Sequence, residues 1–362
     1  MAGSGTTLVT ARMKGHNAIG FDSDPMAVLL SSVWTTTVEP EKLEAKAAEI
    51  LTQARRVVGS HYPETADNET RDFIRYWFDQ TNRVQLTALS ISISRIREKA
   101  VRNIMWCAFS RMIITKKLGV SLAMDVSHSR PHKKYEKAPI QAFDHFPRAV
   151  TQLLKSAPFL KGMSNQPPAI IQKADARDLP LRRDTVDVVI TSPPYLNAID
   201  YLRGHKLSLV WMGYSVSELR NLRSKNIGSA VGTKADDDSI EKVMKKMCDI
   251  PSLSASNAGM LRRYVKDTRA ILTEIHRVLK PRGKAVIVVG DCNIRDVFVK
   301  NSQGIKLLGE ETGLKLQNTR RRPIPENRRY LPPPTASSAG KRLQKRMREE
   351  VILTFIKSRN KQ

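Results

Sequence analysis

Apolar positions along the chain follow two rhythms. From Val38 to about Lys155 they recur at helical spacing: Leu43, Ala47, Ile50, Leu51, Ala54, Val57 and Val58 share one face behind an N-terminal Glu-Pro-Glu, and TRDFIRYWFDQ opens another amphipathic run. Elsewhere the apolar residues come in short runs closed by turn residues: HNAIGFDSDP at 16–25, AIIQKAD at 169–175, VDVVITS at 186–192, GKAVIVVGD at 283–291 and EVILTFIK at 350–357. A helix ending in EIHRVLKP at 274–281 separates two of these runs. Strands alternating with helices predict an α/β fold with a parallel-type sheet. The expected division is residues 1–37 and 166–362 as the sheet domain, with 38–165 as a helical insertion. Two polar pieces, Ser215–Ser256 and Arg320–Gly340, read as irregular, the second carrying the run LPPP.

Composition narrows the partner. With 41% hydrophobic residues the 362-residue chain can bury a sizeable core, yet 61 Lys and Arg against 35 Asp and Glu leave a net charge of +26. Such an excess points to a polyanion. The basic residues are spread along the chain, and no apolar stretch approaches the roughly 20 residues that a membrane span needs, so nucleic acid is favoured over a membrane surface. The start does not read as a signal peptide. Cys107, Cys248 and Cys292 lie far apart without a CxxC pair, which argues against a disulfide framework or a zinc site and for a reducing cytoplasm.

Candidate chemistry clusters at the ends of the strand-like runs. The opening AGSGTT leads straight into a helical stretch, and a glycine loop at a helix start lets backbone N–H groups approach an anionic or polar ligand. Fifteen residues after Thr7, Asp22 ends the next short strand, where a carboxylate can accept from the ribose hydroxyls of a nucleoside cofactor; Asp24 is the neighbouring candidate. Asp175 ends AIIQKAD on the same kind of edge and can accept from an adenine amino group.

The run VDVVITS passes directly into Ser192-Pro193-Pro194-Tyr195. An exocyclic amine on a nucleobase is a poor nucleophile because its lone pair is delocalised into the ring. Fixed acceptors that grip the N–H hydrogens favour a pyramidal nitrogen, and the carbonyls of a Pro-Pro turn are rigidly placed acceptors. Ser192 adds a hydroxyl that accepts or donates, and Tyr195 offers a flat face for a base swung out of its helix. In-line methyl transfer then needs alignment rather than an acid of special pKa.

The sequence resembles the S-adenosylmethionine-dependent amino-methyltransferases of DNA, whose glycine loop D-P-F-x-G-S-G-T and tetrapeptide [DNS]-P-P-[YFW] appear here as MAGSGTT and SPPY. The serine spelling, TSPPY, is most similar to the branch that methylates cytosine at N4. The resemblance covers approximately residues 1–34, 167–214 and 267–292. It implies that Ala2, Gly3, Ser4, Gly5 and Thr6 line the methionine end of S-adenosyl-L-methionine, that Asp22 holds its ribose and Asp175 touches its adenine, and that Ser192, Pro193, Pro194 and Tyr195 carry catalysis. Duplex DNA with a flipped target base is the implied substrate, and a cognate restriction endonuclease the implied partner. Methylation of adenine N6 in DNA, methylation of guanine N2 in tRNA, and a decayed, binding-only homologue are the competing readings. Two features depart from the pattern. Met1 stands where the family has the phenylalanine that follows a buried first strand, so that strand is expected from an upstream segment or another chain; and the glycine loop precedes SPPY, whereas many DNA enzymes with this loop spelling have the reverse order.

Target recognition is expected outside the cofactor sheet. In the loop SLAMDVSHSRPHKKY at 121–135, Ser129, Arg130, Lys133 and Lys134 offer donors to phosphates and base edges. From Arg320 to Gln362 there are 13 Lys or Arg against 3 Asp or Glu, and Arg320, Arg321, Arg322, Arg328 and Arg329 are candidate phosphate contacts. His128 and His132 are spaced i, i+4, but Pro131 between them argues against a helical metal pair, and no metal is assigned.

Overall fold

The computed structural model describes residues 1–57, 59–113, 118–124, 131–156, 165–196, 200–227, 238–294, 297–325 and 348–358. They form two compact units. One comprises Ala2–Lys173 and Ile199–Arg223; the other comprises Ala174–Ala198 and Ser224–Gln362, joined by Met1.

The first unit contains α1 (Thr6–Met13), β1 (Ala18–Asp22), α2 (Pro25–Trp34), α3 (Pro40–Arg56), α4 (Asn68–Trp77), α5 (Gln80–Ser94), α6 (Lys99–Ile113), the short strands β2 (Ala123–Met124) and β3 (His132–Lys133), α7 (Ala142–Ser156), β4 (Ala169–Lys173), α8 (Tyr201–Leu209) and α9 (Val216–Ser224). β1 pairs in parallel with β4, Ala18 opposite Ala169. The spaced apolar residues of α3 do what their period requires: Leu43, Ala47, Ile50 and Ala54 are buried. Asp67 and Asp79 start α4 and α5 by accepting from the backbone N–H groups of Thr70 and Asn82, each at 2.8 Å. Buried Asn82 in turn accepts from the Ala142 N–H at 2.8 Å and donates to the Ile140 carbonyl at 3.0 Å, tying α5 to the start of α7. Met26 and Val33 of α2 lie in the same core cluster as Ile50, Ile74, Phe109 and Phe146. α2, apolar nearly all round, thus buries one of its faces against the helical block.

The second unit contains β5 (Val186–Thr191), α10 (Asp238–Met247), α11 (Ala255–Val278), β6 (Leu279–Val289), β7 (Cys292–Ile294), β8 (Val297–Val299), α12 (Asn301–Glu311), β9 (Leu314–Pro323) and β10 (Glu349–Lys357). Its sheet runs β5-β6-β10-β9; β5 and β6 are parallel, whereas β10 is antiparallel to both of its neighbours. The fold is thus α/β with Rossmann-like parallel strand pairs, and the sheet of this unit is mixed rather than wholly parallel. Two expected irregular pieces are corrected: α9 and α10 occupy much of Ser215–Ser256, and Arg320–Pro323 belongs to β9. Lys357 is 3% exposed and donates to the Asp184 carboxylate at 2.6 Å and to the His276 and Leu279 carbonyls at 2.7 and 2.8 Å, so its buried charge is fully engaged.

Among the described residues β4 is the strand neighbour of β1, and β6 that of β5, so each of β1 and β5 keeps one open edge. Val188 and Ile190, on one face of β5, are each 50% exposed, which is unusual for a parallel strand. No described helix is long and apolar enough to cross a membrane.

Candidate active site

The glycine loop is held by its backbone. Ala2 N–H donates to the Phe21 carbonyl at 2.8 Å, Gly3 N–H to the Asp22 carboxylate at 2.9 Å, and the Ser31 hydroxyl to the Gly3 carbonyl at 2.9 Å. Gly5 has φ +82°, and a Cβ there would lie 2.8 Å from Cα of Ser31, so glycine is required by conformation and by space. Gly3 has φ +54° and faces open space, and Ser4 and Thr6 are exposed beside it at the start of α1. Asp22 accepts from Gly3 on one oxygen and from Asp24 N–H, at 3.1 Å, on the other; each oxygen keeps a lone pair for a further donor such as a ribose hydroxyl. This open loop, bounded by exposed hydroxyls and an acid at a strand end, fits the sugar and methionine side of S-adenosyl-L-methionine.

Asp24 has a different task from the one weighed for it in the sequence. Its carboxylate caps α2 by accepting from Met26 N–H at 2.9 Å and lies 2.6 Å from Nδ1 of His205, whose ring is stacked with that of Tyr201.

In the second unit, β5 ends at buried Thr191 and delivers exposed Ser192, buried Pro193, exposed Pro194 and half-buried Tyr195. The Ser192 hydroxyl lies 3.2 Å from that of Tyr195 and 3.1 Å from the Val288 carbonyl near the end of β6. The Tyr195 hydroxyl donates to Glu350 at 2.9 Å, and Glu350 is ion-paired with Arg322. Burial above all, with the Glu350 carboxylate adding to it, pushes the Tyr195 hydroxyl up to about 12. It therefore keeps its proton and acts as a donor. Glu350 did not emerge from the sequence because it lies 155 residues from Tyr195.

Asp175 is clamped by Arg177, which approaches it through its backbone N–H at 2.9 Å and through the guanidinium at 3.0 and 2.6 Å; the guanidinium also reaches Asp267 at 2.8 Å. Burial alone would raise the carboxyl, but the hydrogen bonds from Arg177 outweigh it and hold Asp175 below the usual carboxylate range. Arg177 thus fills much of the acceptor capacity that the sequence reading reserved for adenine.

The expected nucleic-acid residues divide. Lys133 and Lys134 lie beside aromatic rings, Nζ of Lys133 5.0 Å from the centroid of exposed Tyr76 and that of Lys134 5.6 Å from half-buried Tyr135. Arg320, Arg321 and Arg322 lie exposed on β9, but Arg321 is ion-paired with Glu349 and Arg322 with Glu350. Opposite charges on neighbouring strands account for this pairing, and they reduce the charge that the arginine run presents. Ser129, Arg130, Arg328 and Arg329 lie outside the described residues.

No protein-family model matches the chain. It is 22% identical to the type II methyltransferase M.MvaI of Kocuria varians, over 82% of this chain and 70% of that enzyme. It is 24% identical to M.BsoBI of Geobacillus stearothermophilus over 64% of this chain and 50% of the enzyme, and 23% identical to M.AvaI of a Nostoc species over 61% and 52%. The chain thus spans about half the length of the latter two. A solved putative DNA modification methylase from Thermus thermophilus, complexed with S-adenosyl-L-methionine, covers 52% of this chain and 53% of its own at a TM-score of 0.28 and 16% identity, too loose an overlay to carry an argument. In its glycine loop, its SPPY tetrapeptide and the relatives it matches, the chain is similar to type II DNA methyltransferases.

Proposed function

We propose that the chain is a site-specific DNA methyltransferase that transfers a methyl group from S-adenosyl-L-methionine to the exocyclic N4 amine of cytosine, in a restriction-modification setting with a cognate endonuclease. The observation that carries the reading is the pair of hydroxyls on Ser192 and Tyr195 at the end of β5, the second anchored by Glu350. S-adenosyl-L-methionine supplies an electrophilic methyl group when bound. Gly3, Ser4, Thr6 and Asp22 hold it. The Pro193–Pro194 turn offers the amine carbonyl acceptors, and Ser192 contacts the amine or the adjoining ring nitrogen. On methylation the amine held by these acceptors would lose its proton to solvent. Tyr195, kept protonated by burial, steadies Ser192 and presents its ring to the extruded base. Lys133, Lys134 and Arg320 are assigned to phosphates, which gives salt-dependent affinity.

Transfer of labelled methyl to DNA by Ser192→Ala and Tyr195→Ala tests this assignment. Loss of transfer with retained cofactor binding is expected; full transfer by both variants would remove SPPY from the chemistry.

A further inference from the structure

The second unit carries a cleft that neither SPPY nor the basic C-terminal residues explain. β7 follows directly from the end of β6, and its first residue touches the catalytic loop, the Cys292 thiol donating to the Leu196 carbonyl, one residue past Tyr195, at 3.1 Å. β7 and β8 pair antiparallel, Cys292 opposite Val299 and Asn293 opposite Phe298. Strand alternation sends Val299 fully into the core and turns Phe298 outward, where it is 51% exposed. Phe298 lines an open cleft of about 710 Å3 together with Lys245 and Lys246 from the last turn of α10 and Lys300 at the exit of β8. The Lys300 N–H donates to the Met247 carbonyl at 2.9 Å, which fixes that exit against α10.

Lysines in a last helical turn are ordinary, since they suit the helix dipole. That account covers Lys245 and Lys246 but not Lys300, which comes from another element, nor an exposed phenylalanine set among the three. Among the described residues none of the three lysines has a carboxylate partner. Of the acids lining the cleft, Glu241 is taken up by Arg262 at 2.7 Å, which leaves Asp249, hydrogen-bonded by Ser252, against three ammonium groups. Cations that follow a groove around an aromatic face suit a phosphodiester chain with an unstacked base.

We propose that this cleft binds a nucleic-acid strand beside the catalytic loop, with Phe298 stacking on a base and Lys245, Lys246 and Lys300 contacting phosphates. The inference rests on the DNA methyltransferase reading and names a contact surface for its substrate. Phe298 and the lysines are exposed, so their replacement leaves the core intact.

The test uses the full chain and a fluorescently labelled mixed-sequence duplex, with the matching single strand as a second probe. Phe298→Ala should weaken binding about tenfold, most clearly for the single strand. Joint replacement of Lys245, Lys246 and Lys300 by Glu should lower the slope of log affinity against log salt by about 2 to 3. Neither set should change the melting temperature or S-adenosyl-L-methionine binding by calorimetry. Wild-type affinity and slope in both variants would overturn the proposal, as would competition by polyglutamate as effective as that by DNA, which would mark a surface for acidic protein. If the wild type binds nucleic acid through these residues but transfers no methyl group, the enzymatic reading fails and the surface stands. Equal transfer and equal KM for DNA in wild type and Phe298→Ala would sink the surface and leave the enzyme.

Discussion

The glycine-loop unit and the catalytic-loop unit solve the same problem, fixing polar groups at a strand end, with different materials. Around β1 the ties are made by the backbone: N–H groups of Gly3 and Asp24 on Asp22, and of Met26 on Asp24. In the second unit they are made by side chains, many from distant parts of the chain: Ser192, Tyr195, Glu350 and Arg322 in one series at the end of β5, Asp175, Arg177 and Asp267 in another after β4. A backbone cradle is broken by adding atoms. A side-chain series is broken by removing them.

The sharpest break is expected at Gly5. Gly5→Ala places a Cβ against the Ser31 backbone in a left-handed conformation that alone costs about 1–2 kcal/mol, so a lower melting temperature and loss of S-adenosyl-L-methionine binding by calorimetry should follow. Next comes the tyrosine series, where Tyr195→Ala should lower kcat about a hundredfold and Glu350→Ala about tenfold with little change in KM for either substrate. Equal losses would mean that Glu350 contributes more than orientation.

A smaller effect is expected from Arg177→Ala, about 1 kcal/mol in urea unfolding at neutral pH, discounted because both partners are partly exposed. The sign with pH is fixed by the direction of the shift. Asp175 is depressed in the fold, so its contribution is complete above the ordinary carboxylate value near 4 and is lost as pH falls through the lower folded value. The variant and the wild type should therefore converge in acid. The smallest effect is expected from Arg321→Ala, whose exposed pair with Glu349 should contribute well under 1 kcal/mol and leave the salt slope of DNA binding nearly unchanged.

The same contrast decides what was legible in the sequence. Motifs that act through backbone conformation are contiguous, so AGSGTT and the run into Asp22 gave away the cradle, and the apolar runs at 169–175, 186–192, 283–291 and 350–357 located β4, β5, β6 and β10. β9 was missed because LKLQNTRRRP has a polar exposed face and gains its ladder from β10, which follows it much later in the chain. α10 was hidden by its lysines, although Ile240, Val243, Met244 and Met247 repeat at helical spacing and are buried. Arg322 read as a phosphate contact because a charge does not announce its partner; here that partner is Glu350.

Methyl transfer followed by nucleoside analysis tests the central claim most directly. Incubated with labelled S-adenosyl-L-methionine and either duplex DNA or bulk tRNA, the chain is expected to place label in DNA as N4-methylcytosine, and Tyr195→Ala to do so about a hundredfold more slowly. Label in N6-methyladenine or in tRNA would contradict the assignment of base or substrate, and cofactor binding without transfer to any nucleic acid would contradict the enzymatic account itself.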